Sequence, residues 1–418
     1  MYPALLPLRA VWRRIYPGCN FIVRNLAFAY LSLEYAVLVI VNINTIRKYQ
    51  HIYPFWCVSF GHQALDLYML SMRFPHKKVL VVYSDYGNVN RHIARSFSEV
   101  DILFLTHTAL AQNLYRFIEF TKFKKMKFVI VKAVSNNAQL IWDCNTKDGV
   151  QIEGRYMVEL TQLIKETNQK VVLPTKTITA FETLLHNIFP ETKSKWFVSL
   201  YLRKKRAGNT LDVRDTTPEP YRLIIKRITE IGGFVLVGGD YNPHTLFPDL
   251  DGVYWQEDFS CDRSLFDAYA LSQAALFIGT HSGPLIIANA FDVPSLITNC
   301  GFFYLSGYRD NQRVLFKRVR DAASGRVLSA AETFDFPVVS YTQSRENEFA
   351  TAGLELVDNT DHELLDAAEE MLQEYILGNT QEIDQGLEDR FRAITPEKSV
   401  VRISPCRPSQ SYLRNLNW

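Results

Sequence analysis

Short apolar runs alternate with amphipathic stretches over most of this chain, and that alternation constrains its fold more than any other feature. In the N-terminal part, FWCVSF (Phe55–Phe60), KVLVVY (Lys78–Tyr83) and Val100–Leu105 are predicted strands, and Gln63–Phe74 has helical spacing. A strand–helix–strand order implies a parallel sheet with helices on both faces. Further predicted elements of this part are the helices Ile93–Phe97, Ala109–Phe123 and Tyr156–Thr167 and the strands Lys127–Val134 and Val171–Leu173.

The same order restarts after the polar break Pro190–Lys195, which we interpret as an interdomain linker. The apolar run WFVSLYL (Trp196–Leu202) is the first strand of this second part. The class predicted for the whole chain is therefore α/β, with two doubly wound Rossmann-like domains facing a cleft. The further predicted elements of the second part are the helices Tyr221–Ile231, Leu265–Ala274 and Pro284–Phe291 and the strands Phe234–Val237, Ala275–Ile278 and Ser295–Thr298.

These patterns divide the 418 residues into four parts. Asp361–Tyr375 is predicted as an amphipathic helix with Asn359 or Thr360 as its cap, and beyond about Leu377 we expect a loosely held chain. The parts are an apolar and basic helical segment (1–50), a first Rossmann-like domain (51–190), a second Rossmann-like domain (196–358), and a C-terminal helix with a polar tail (359–418).

Composition excludes several classes of protein. Hydrophobic residues make up 47% and charged residues 22%, which is ordinary for a globular chain. The net charge of +2 gives no reason to expect nucleic-acid binding. The six cysteines are too far apart in sequence for a metal knuckle or a redox pair, so we expect reduced thiols in a cytoplasmic protein.

The apolar segment Leu26–Ile43 is interrupted by Glu34 and Asn42 and has basic residues on both flanks. A spanning helix rejects a central carboxylate, so a buried helix, or one lying on the membrane surface, is favoured over a true span. Because no small-residue cleavage site follows, a signal peptide is not expected. The basic flanks would suit contact with anionic lipid at the inner membrane.

The most informative local pattern is LFIGTHSGPLIIANAFDVPSLIT, which begins at Leu276. A predicted strand is followed by a loop with His281, Ser282 and Gly283, and a helix opens at Pro284, where proline suits the first turn. Ser282 is well placed to cap this helix. Backbone N–H groups at its start would form an anion site at the edge of the sheet where ligands bind. An ordinary capped turn is the competing interpretation.

Two other candidate sites follow predicted strands. Gly238 and Gly239, with Asp240 next to them, would let a ligand or another backbone approach closely, although a tight turn explains them equally well. Arg203 stands where WFVSLYL leaves the sheet, and its guanidinium would be able to clamp a diphosphate. We expect the basic residues after it to be solvated.

His62 is the candidate general base, because it follows Gly61 at the end of the first predicted strand and imidazole titrates near neutral pH. A structural histidine is the alternative. The pair Asp249 and Asp251 has a spacing that can hold a metal, but a turn is favoured there. No dinucleotide fingerprint, P-loop or nucleophile elbow is present in the sequence. Asn88 and Asn90 are favoured as turn residues over sugar ligands.

FIGTHSGPLIIANAFDVPSLIT resembles the nucleotide-sugar-binding segment of GT-B glycosyltransferases, especially bacterial lipopolysaccharide heptosyltransferase-like enzymes. The stretch Trp196–Asn299, with GGFVLVGGD in its middle, is closer still to uncharacterised glycosyltransferases found with surface-polysaccharide genes. The resemblance covers roughly Phe55–Tyr375 at the level of the fold. The matching residues are Gly279, Ser282, Gly283, Ala288, Ala290, Val293 and Pro294.

The resemblance implies a metal-independent, cofactor-free glycosyltransferase that is cytoplasmic or peripheral on the inner membrane. It would move a sugar from a nucleotide-diphosphate donor to a glycan or lipid-linked acceptor in bacterial surface polysaccharide synthesis. Heptosyltransferases carry Gly-Asp after the first strand, with the Asp proposed as base, whereas this chain has Gly61-His62. A sugar-nucleotide epimerase, a non-catalytic nucleotide-sugar-binding protein and a polysaccharide pyruvyl transferase stay open as alternatives. The implied donor-binding residues are Arg203, Gly238, Gly239, Asp240, His281, Ser282 and Gly283.

Overall fold

The α/β class is confirmed by the computed structural model of the chain, in which parallel strands alternate with helices. The N-terminal segment 1–50, the helix predicted over 109–123 and the strand predicted over 127–134 lie outside the described residues. The structure describes residues 51–55, 60–73, 79–84, 90–98, 100–105, 139–140, 161–167, 169–204, 214–301, 307–336, 346–379, 382–397 and 399–418.

The chain forms two compact units, and the first contains a four-stranded parallel sheet in the order β3-β2-β1-β4. The strand predicted at Phe55–Phe60 is wrong in its bounds, since β1 ends at Phe55 and a helix begins at Phe60. A continuous apolar run does not by itself mark where one element stops and the next begins. The strands are β1 His51–Phe55, β2 Val79–Ser84, β3 Val100–Leu105 and β4 Gln139–Leu140.

The second unit contains a parallel sheet with seven described strands in the order β13-β10-β9-β8-β5-β6-β7. Every residue of β5, β8, β9 and β10 is buried, which explains why β5 and β8 read as nearly continuous apolar runs. Strand β10, which begins with the buried polar residues Gln312 and Arg313, has no such run and was not predicted. The strands are β5 Phe197–Leu202, β6 Phe234–Gly239, β7 Val253–Trp255, β8 Leu276–Thr280, β9 Ser295–Cys300, β10 Gln312–Phe316 and β13 Arg407–Pro408, with an antiparallel pair, β11 Arg318–Asp321 and β12 Leu354–Val357, beside them.

Helices from both the N-terminal and the C-terminal part of the chain belong to the second unit. Residues 161–167 are also helical. The labelled helices are α1 Phe60–Arg73, α2 Arg91–Ala94, α3 Thr175–Ile188, α4 Arg222–Glu230, α5 Pro243–Leu246, α6 Arg263–Ser272, α7 Gly283–Ala290, α8 Ala330–Phe334, α9 Glu346–Thr351, α10 Asp361–Tyr375, α11 Gln385–Ile394, α12 Val400–Ile403 and α13 Gln410–Arg414.

Helices α1 and α2 come from the N-terminal part of the chain but are anchored on the second unit. Helix α1 packs against α7. The buried amide of Gln63 exchanges two hydrogen bonds of 2.9 Å with the backbone of Asn90, whose own amide donates to the Ser264 carbonyl at 2.8 Å. These buried polar contacts fix the position of α1 on the second unit.

The region before β5 differs from its prediction. No strand forms at Val171–Leu173; helix α3 begins shortly afterwards at Thr175, in a stretch rich in the β-branched residues that weaken helical signals. Phe181 and Leu185, four residues apart, bury one face of this helix. The polar break at Pro190–Lys195 lies inside the second unit, and Thr192 within it is buried.

The prediction of a loosely held C-terminal tail is wrong. Strand β13 extends the edge of the sheet beside β10, and the Phe391 ring of α11 stacks on Phe316 with a centroid distance of 6.0 Å. The buried carboxylate of Glu370 accepts the Gln410 N–H at 2.9 Å, which satisfies the start of α13. A buried aromatic ring and a buried carboxylate therefore hold this tail in place. Thr360, one of the two predicted caps, caps α10 with a capping box.

Candidate functional site

The strand order of the second unit defines a topological switch point between β5 and β8. Counted along the chain from β5, strands β6 and β7 lie on one side of it, and β8, β9 and β10 lie on the other. The loops that follow β5 and β8 therefore run in opposite directions and open a crevice at the carboxyl edge of the sheet. In open parallel sheets, ligands bind in this crevice.

The structure brings the predicted donor-binding residues to this edge. Arg203 directly follows β5, the segment 281–283 follows β8, and Asp240 follows β6. Strand β5 pairs with both β6 and β8, with Tyr201 opposite Gly238 on one side and opposite Gly279 on the other. The three loops therefore leave adjacent strands of one sheet.

Ser282 occupies the N-cap position of α7, but its side chain makes no capping hydrogen bond. The expected side-chain cap is therefore wrong, whereas a proline in the first helical turn is confirmed at Pro284. Because Ser282 does not use its hydroxyl on the helix, the first N–H groups of α7 keep their capacity to meet a ligand. His281, Ser282 and Gly283 are each partly exposed, and their donor role stays a prediction.

Packing inside the protein explains why a glycine stands at position 238 of β6. A Cβ at Gly238 would fall within the ring of Tyr201, and a Cβ at Gly279 would collide with the Tyr201 carbonyl oxygen. Gly238 therefore makes room for the ring of Tyr201, whereas Gly279 makes room for the backbone at that position. This packing accounts for Gly238 without a ligand, and its proposed contact with donor stays a prediction.

Gly239 ends β6 in the left-handed region, with φ of +99°. A Cβ there would lie 2.7 Å from the Leu202 carbonyl oxygen, so glycine is required for the backbone turn. Its carbonyl accepts a hydrogen bond from the Gln256 amide at 3.1 Å. Asp240 follows in an exposed position, where a ligand can reach it.

Arg203 is oriented by a carboxylate at the sheet edge. Its Nε donates to Asp215 Oδ1 at 3.2 Å, while 32% of the arginine side chain is exposed against 12% for that of Asp215. The Arg203 carbonyl also accepts the Thr216 N–H at 3.2 Å, which closes the base of the loop. The cation is therefore fixed at the edge of the crevice rather than loosely solvated.

The remaining candidate residues are His62, Asp249, Asn88 and Asn90, and they have different outcomes. His62 lies in the first turn of α1, but its side chain is outside the described residues, so its role as base stays a prediction. Asp249 accepts two hydrogen bonds of 2.7 Å from Arg222, which is a structural use of that carboxylate. Asn90 caps α2, as a turn residue would, and Asn88 lies outside the described residues.

A perturbed carboxyl that the sequence analysis missed lies behind the sheet. Asp267 of α6 accepts the Tyr201 hydroxyl at 2.5 Å, and burial raises the pKa of Asp267 to about 6. Burial also raises the pKa of Tyr201 well above its ordinary value. Since both side chains are buried, this pair is part of the core rather than of the crevice; the signal in the sequence was an aspartate within the apolar helix RSLFDAYALS.

The part of the chain that the structure describes contains no cluster of three or more histidine, cysteine or acidic side chains suited to a metal ion. Independence from metal stays a prediction. Among the described residues, no helix combines the length and apolar character required to cross a membrane.

No protein-family model matches the chain, and no curated protein matches it. Several solved structures resemble it. A family 9 glycosyltransferase from Veillonella parvula DSM 2008 is 11% identical with a TM-score of 0.47, over 78% of this chain and 98% of that one. The ADP-heptose lipopolysaccharide heptosyltransferase II of E. coli is 13% identical with a TM-score of 0.40, over 64% and 89%.

The E. coli heptosyltransferase WaaC with ADP-2-deoxy-2-fluoro heptose is 14% identical with a TM-score of 0.34, over 63% of this chain and 92% of that one. These structures are glycosyltransferases and heptosyltransferases, the group that the sequence itself resembles.

Proposed function

We propose that this chain is a glycosyltransferase that binds a nucleoside-diphosphate sugar at the carboxyl edge of its seven-stranded sheet. The observation that carries the proposal is the switch point, where Arg203 follows β5 and the start of α7 follows the adjacent strand β8. A guanidinium and a helix N-terminus on neighbouring strands suit the two negative charges of a pyrophosphate. The resemblance of the segment after β8 supplies the donor class.

The proposed reaction needs charge stabilisation on one side and proton removal on the other. The acceptor hydroxyl oxygen forms a bond to the anomeric carbon while the bond from that carbon to the diphosphate oxygen breaks, and His62 takes the hydroxyl proton. Negative charge grows on the departing diphosphate, where the helix terminus and Arg203 stabilise it without a metal. Helix α1, which carries His62, packs against α7 and so holds the proposed base on the donor unit.

The acceptor, the cellular location and the contacts of Asp240 complete the proposed function. We propose that the first unit presents a glycan or lipid-linked acceptor in bacterial surface polysaccharide synthesis. The protein would then work in the cytoplasm, with the basic and apolar segment before residue 51 on the inner membrane surface. Asp240, exposed at the end of β6, would flank the nucleoside or sugar.

Calorimetry with the ADP, GDP, UDP and CDP sugars tests the donor site directly. A ligand at a hundred times its Kd stabilises the folded state by about 2.7 kcal/mol, so a rise in Tm is also expected. Arg203→Ala should weaken binding by roughly tenfold or more, because a charge-assisted bond to phosphate is lost. The matched control is Arg326→Ala, since Arg326 pairs with Glu332 on the surface.

Two results would contradict the donor site: no binding of any of these sugars, or equal binding by Arg203→Ala and the unchanged protein. Turnover separates the alternatives. Conversion of the sugar nucleotide without an acceptor would indicate an epimerase. Donor binding with a biological output that His62→Ala leaves intact would indicate a non-catalytic binding protein, and consumption of phosphoenolpyruvate would indicate a pyruvyl transferase.

A further inference from the structure

A polar cluster with a buried centre lies at the carboxyl edge of the seven-stranded sheet, next to the residues proposed to bind donor. It joins the loop after β5 to the ends of β6, β9 and β10 and to the segment before α10. We name it the Thr216 junction; its members are Asp215, Thr216, Thr217, Tyr241, Asn299, Lys317, Asp358 and Asn359.

Thr216 makes contacts in four directions. Its hydroxyl accepts the Asn299 amide at 2.8 Å and donates to Asp358 Oδ2 at 3.2 Å. Its carbonyl accepts the Tyr241 hydroxyl at 2.7 Å, and its N–H donates to the Arg203 carbonyl at 3.2 Å. One residue of the loop after β5 therefore contacts the loop after β6, the end of β9 and the segment before α10.

A partly buried ion pair holds the same loop from the other side. Lys317 follows β10, and only 6% of its side chain is exposed. Its Nζ lies 2.7 Å from Asp358 Oδ1 and donates to the Asp215 carbonyl at 2.7 Å. Asp358 Oδ2 also accepts the Thr217 N–H at 3.3 Å. The buried Lys317 ammonium needs both of these oxygen partners, so the arrangement fixes Asp215, which in turn holds the guanidinium of Arg203.

The end of β9 is held by a reciprocal pair of asparagines. The Asn299 N–H donates to Asn359 Oδ1 at 2.8 Å, and the Asn359 N–H donates to Asn299 Oδ1 at 2.6 Å. Asn299 has a φ of +50°, which asparagine tolerates better than most residues. The Asn359 amide also donates to the Phe316 carbonyl at 2.9 Å, so the end of β10 joins the same network.

The loops that follow β5 and β6 carry Arg203 and Asp240, and they are tied to each other as well as to the sheet. Tyr241 is adjacent to Asp240, and Lys204, adjacent to Arg203, places its Nζ 5.6 Å from the centre of the Tyr241 ring. A buried network with its hydrogen bonds satisfied is rigid and specifies one arrangement. The junction therefore sets where both loops stand at the edge of the crevice.

We propose that Thr216 is a positioning residue for the diphosphate site, acting through Arg203 and through the loop after β6 without touching the donor. The inference rests on the proposed function, because it presumes that Arg203 meets the diphosphate. A threonine with a merely structural role would change stability when altered and leave the affinity for nucleotide as it was.

The experiment compares Thr216→Val with Thr192→Val, using calorimetry against ADP, GDP, UDP and CDP and thermal unfolding. Thr192 is also a buried threonine whose hydroxyl bonds a backbone carbonyl, but it lies before β5, at the opposite end of that strand. We expect Thr216→Val to bind its nucleoside diphosphate about tenfold more weakly, as loss of one buried hydrogen bond predicts. Thr192→Val should lower Tm and keep the affinity for the nucleoside diphosphate. Thr216→Ser, which keeps the hydroxyl, should bind as tightly as the unchanged protein.

A double variant tests the route through Arg203. If Thr216 acts by placing this arginine, Thr216→Val should weaken binding much less in an Arg203→Ala background than in the unchanged protein. Equal effects in both backgrounds would overturn the positioning role. If Thr216→Val does not fold, Tyr241→Phe, which removes only the hydroxyl that meets the Thr216 carbonyl, should weaken binding about threefold.

The outcomes separate the two proposals. If the unchanged protein binds none of the four nucleoside diphosphates, the proposed function fails and the positioning role falls with it. If the unchanged protein binds one of them and folded Thr216→Val binds it equally well, or Tyr241→Phe does so where it replaces that variant, the donor site stands and the positioning role is overturned.

Discussion

The ring of Tyr201 occupies the space in which any side chain at position 238 would lie. Tyr201 stands in the middle of the sheet on β5, opposite Gly238 on β6 and Gly279 on β8. Its hydroxyl reaches across to Asp267 on the helix behind the sheet. The glycine that ends the apolar run FVLV is therefore set by core packing.

Replacement of Gly238 by alanine should destabilise the protein by about 3 kcal/mol, because a close-packed core accommodates an extra methyl group only by displacing its neighbours. Denaturant unfolding monitored by circular dichroism measures this change. Gly325→Ala is the control, since Gly325 has positive φ and open space around it, and should cost only about 1 kcal/mol. Equal losses in the two variants would show that Tyr201 does not require the glycine.

The apolar runs of the sequence predicted β5, β6, β8 and β9, because strands buried on both faces leave such runs. Strands β7 and β10 of the same sheet were not predicted. Helix α10 was predicted at its observed bounds, Asp361–Tyr375. Strand β13 could not be predicted in this way, since Arg407 and Pro408 carry no apolar signal and pair only where the tail meets the edge of the sheet. Helix α3 was not predicted because its β-branched residues weaken the helical signal.

For the candidate site, the sequence indicated which strand ends matter but not how their side chains are held. Arg203 and the loop before α7 were predicted from position alone, and the structure places both beside the switch point. The contacts of Thr216 depend on Asn299 and Asp358, which are far from it in sequence. Long-range polar contacts of this kind leave no periodic signature, so the Thr216 junction had no signal in the sequence.

Ser282→Asp should raise the stability of α7 and weaken the binding of its proposed ligand. Because Ser282 makes no capping hydrogen bond and Pro284 has no N–H, a carboxylate at this N-cap would gain a bond from the Leu285 N–H and stabilise the helix by about 0.5–1 kcal/mol. The same carboxylate would occupy and repel the diphosphate site, so nucleotide affinity should fall by at least about a hundredfold. Thermal unfolding and calorimetry on the same samples measure both effects.

Ser282→Ala is the control for that experiment. It removes a hydroxyl that does not cap the helix, so stability should change by less than about 0.5 kcal/mol. Undiminished nucleotide binding by Ser282→Asp would place the diphosphate away from α7. A large loss of stability in Ser282→Ala would mean that the serine contributes to the fold by another route.

The C-terminal tail should contribute strongly to the stability of the second unit. Phe391 is only 2% exposed and lies between Phe316 and Phe334, so Phe391→Ala should cost about 3–5 kcal/mol. Leu377→Ala is the control, because Leu377 is 43% exposed and should change stability by less than about 1 kcal/mol. Urea unfolding would show similar midpoints for the two variants if the tail were loosely attached.

Titration of Asp267 should raise the free energy of unfolding as pH falls from 7.5 toward 4. Burial raises its pKa from 3.8 to about 6, so the folded state binds the proton more tightly than the unfolded state does. The cost of the buried charge is therefore present above about pH 6 and is relieved as pH falls toward 4. Asp267→Asn does not titrate and keeps an oxygen for the Tyr201 hydroxyl. It should be more stable than the unchanged protein at pH 7.5, by roughly 2–3 kcal/mol, and lose that advantage near pH 4.

Asp249 is the control, because its pKa is shifted in the opposite direction from that of Asp267. The hydrogen bond from Arg222 lowers the pKa of Asp249, so whatever this pair contributes to stability is lost as pH falls through that lowered value. Asp249→Asn should therefore be no more stable than the unchanged protein at pH 7.5. Urea unfolding of the three proteins between pH 4 and 7.5 measures both signs. If Asp267→Asn is less stable than the unchanged protein by the same amount at every pH, the Asp267 carboxyl does not titrate in this range in the folded state.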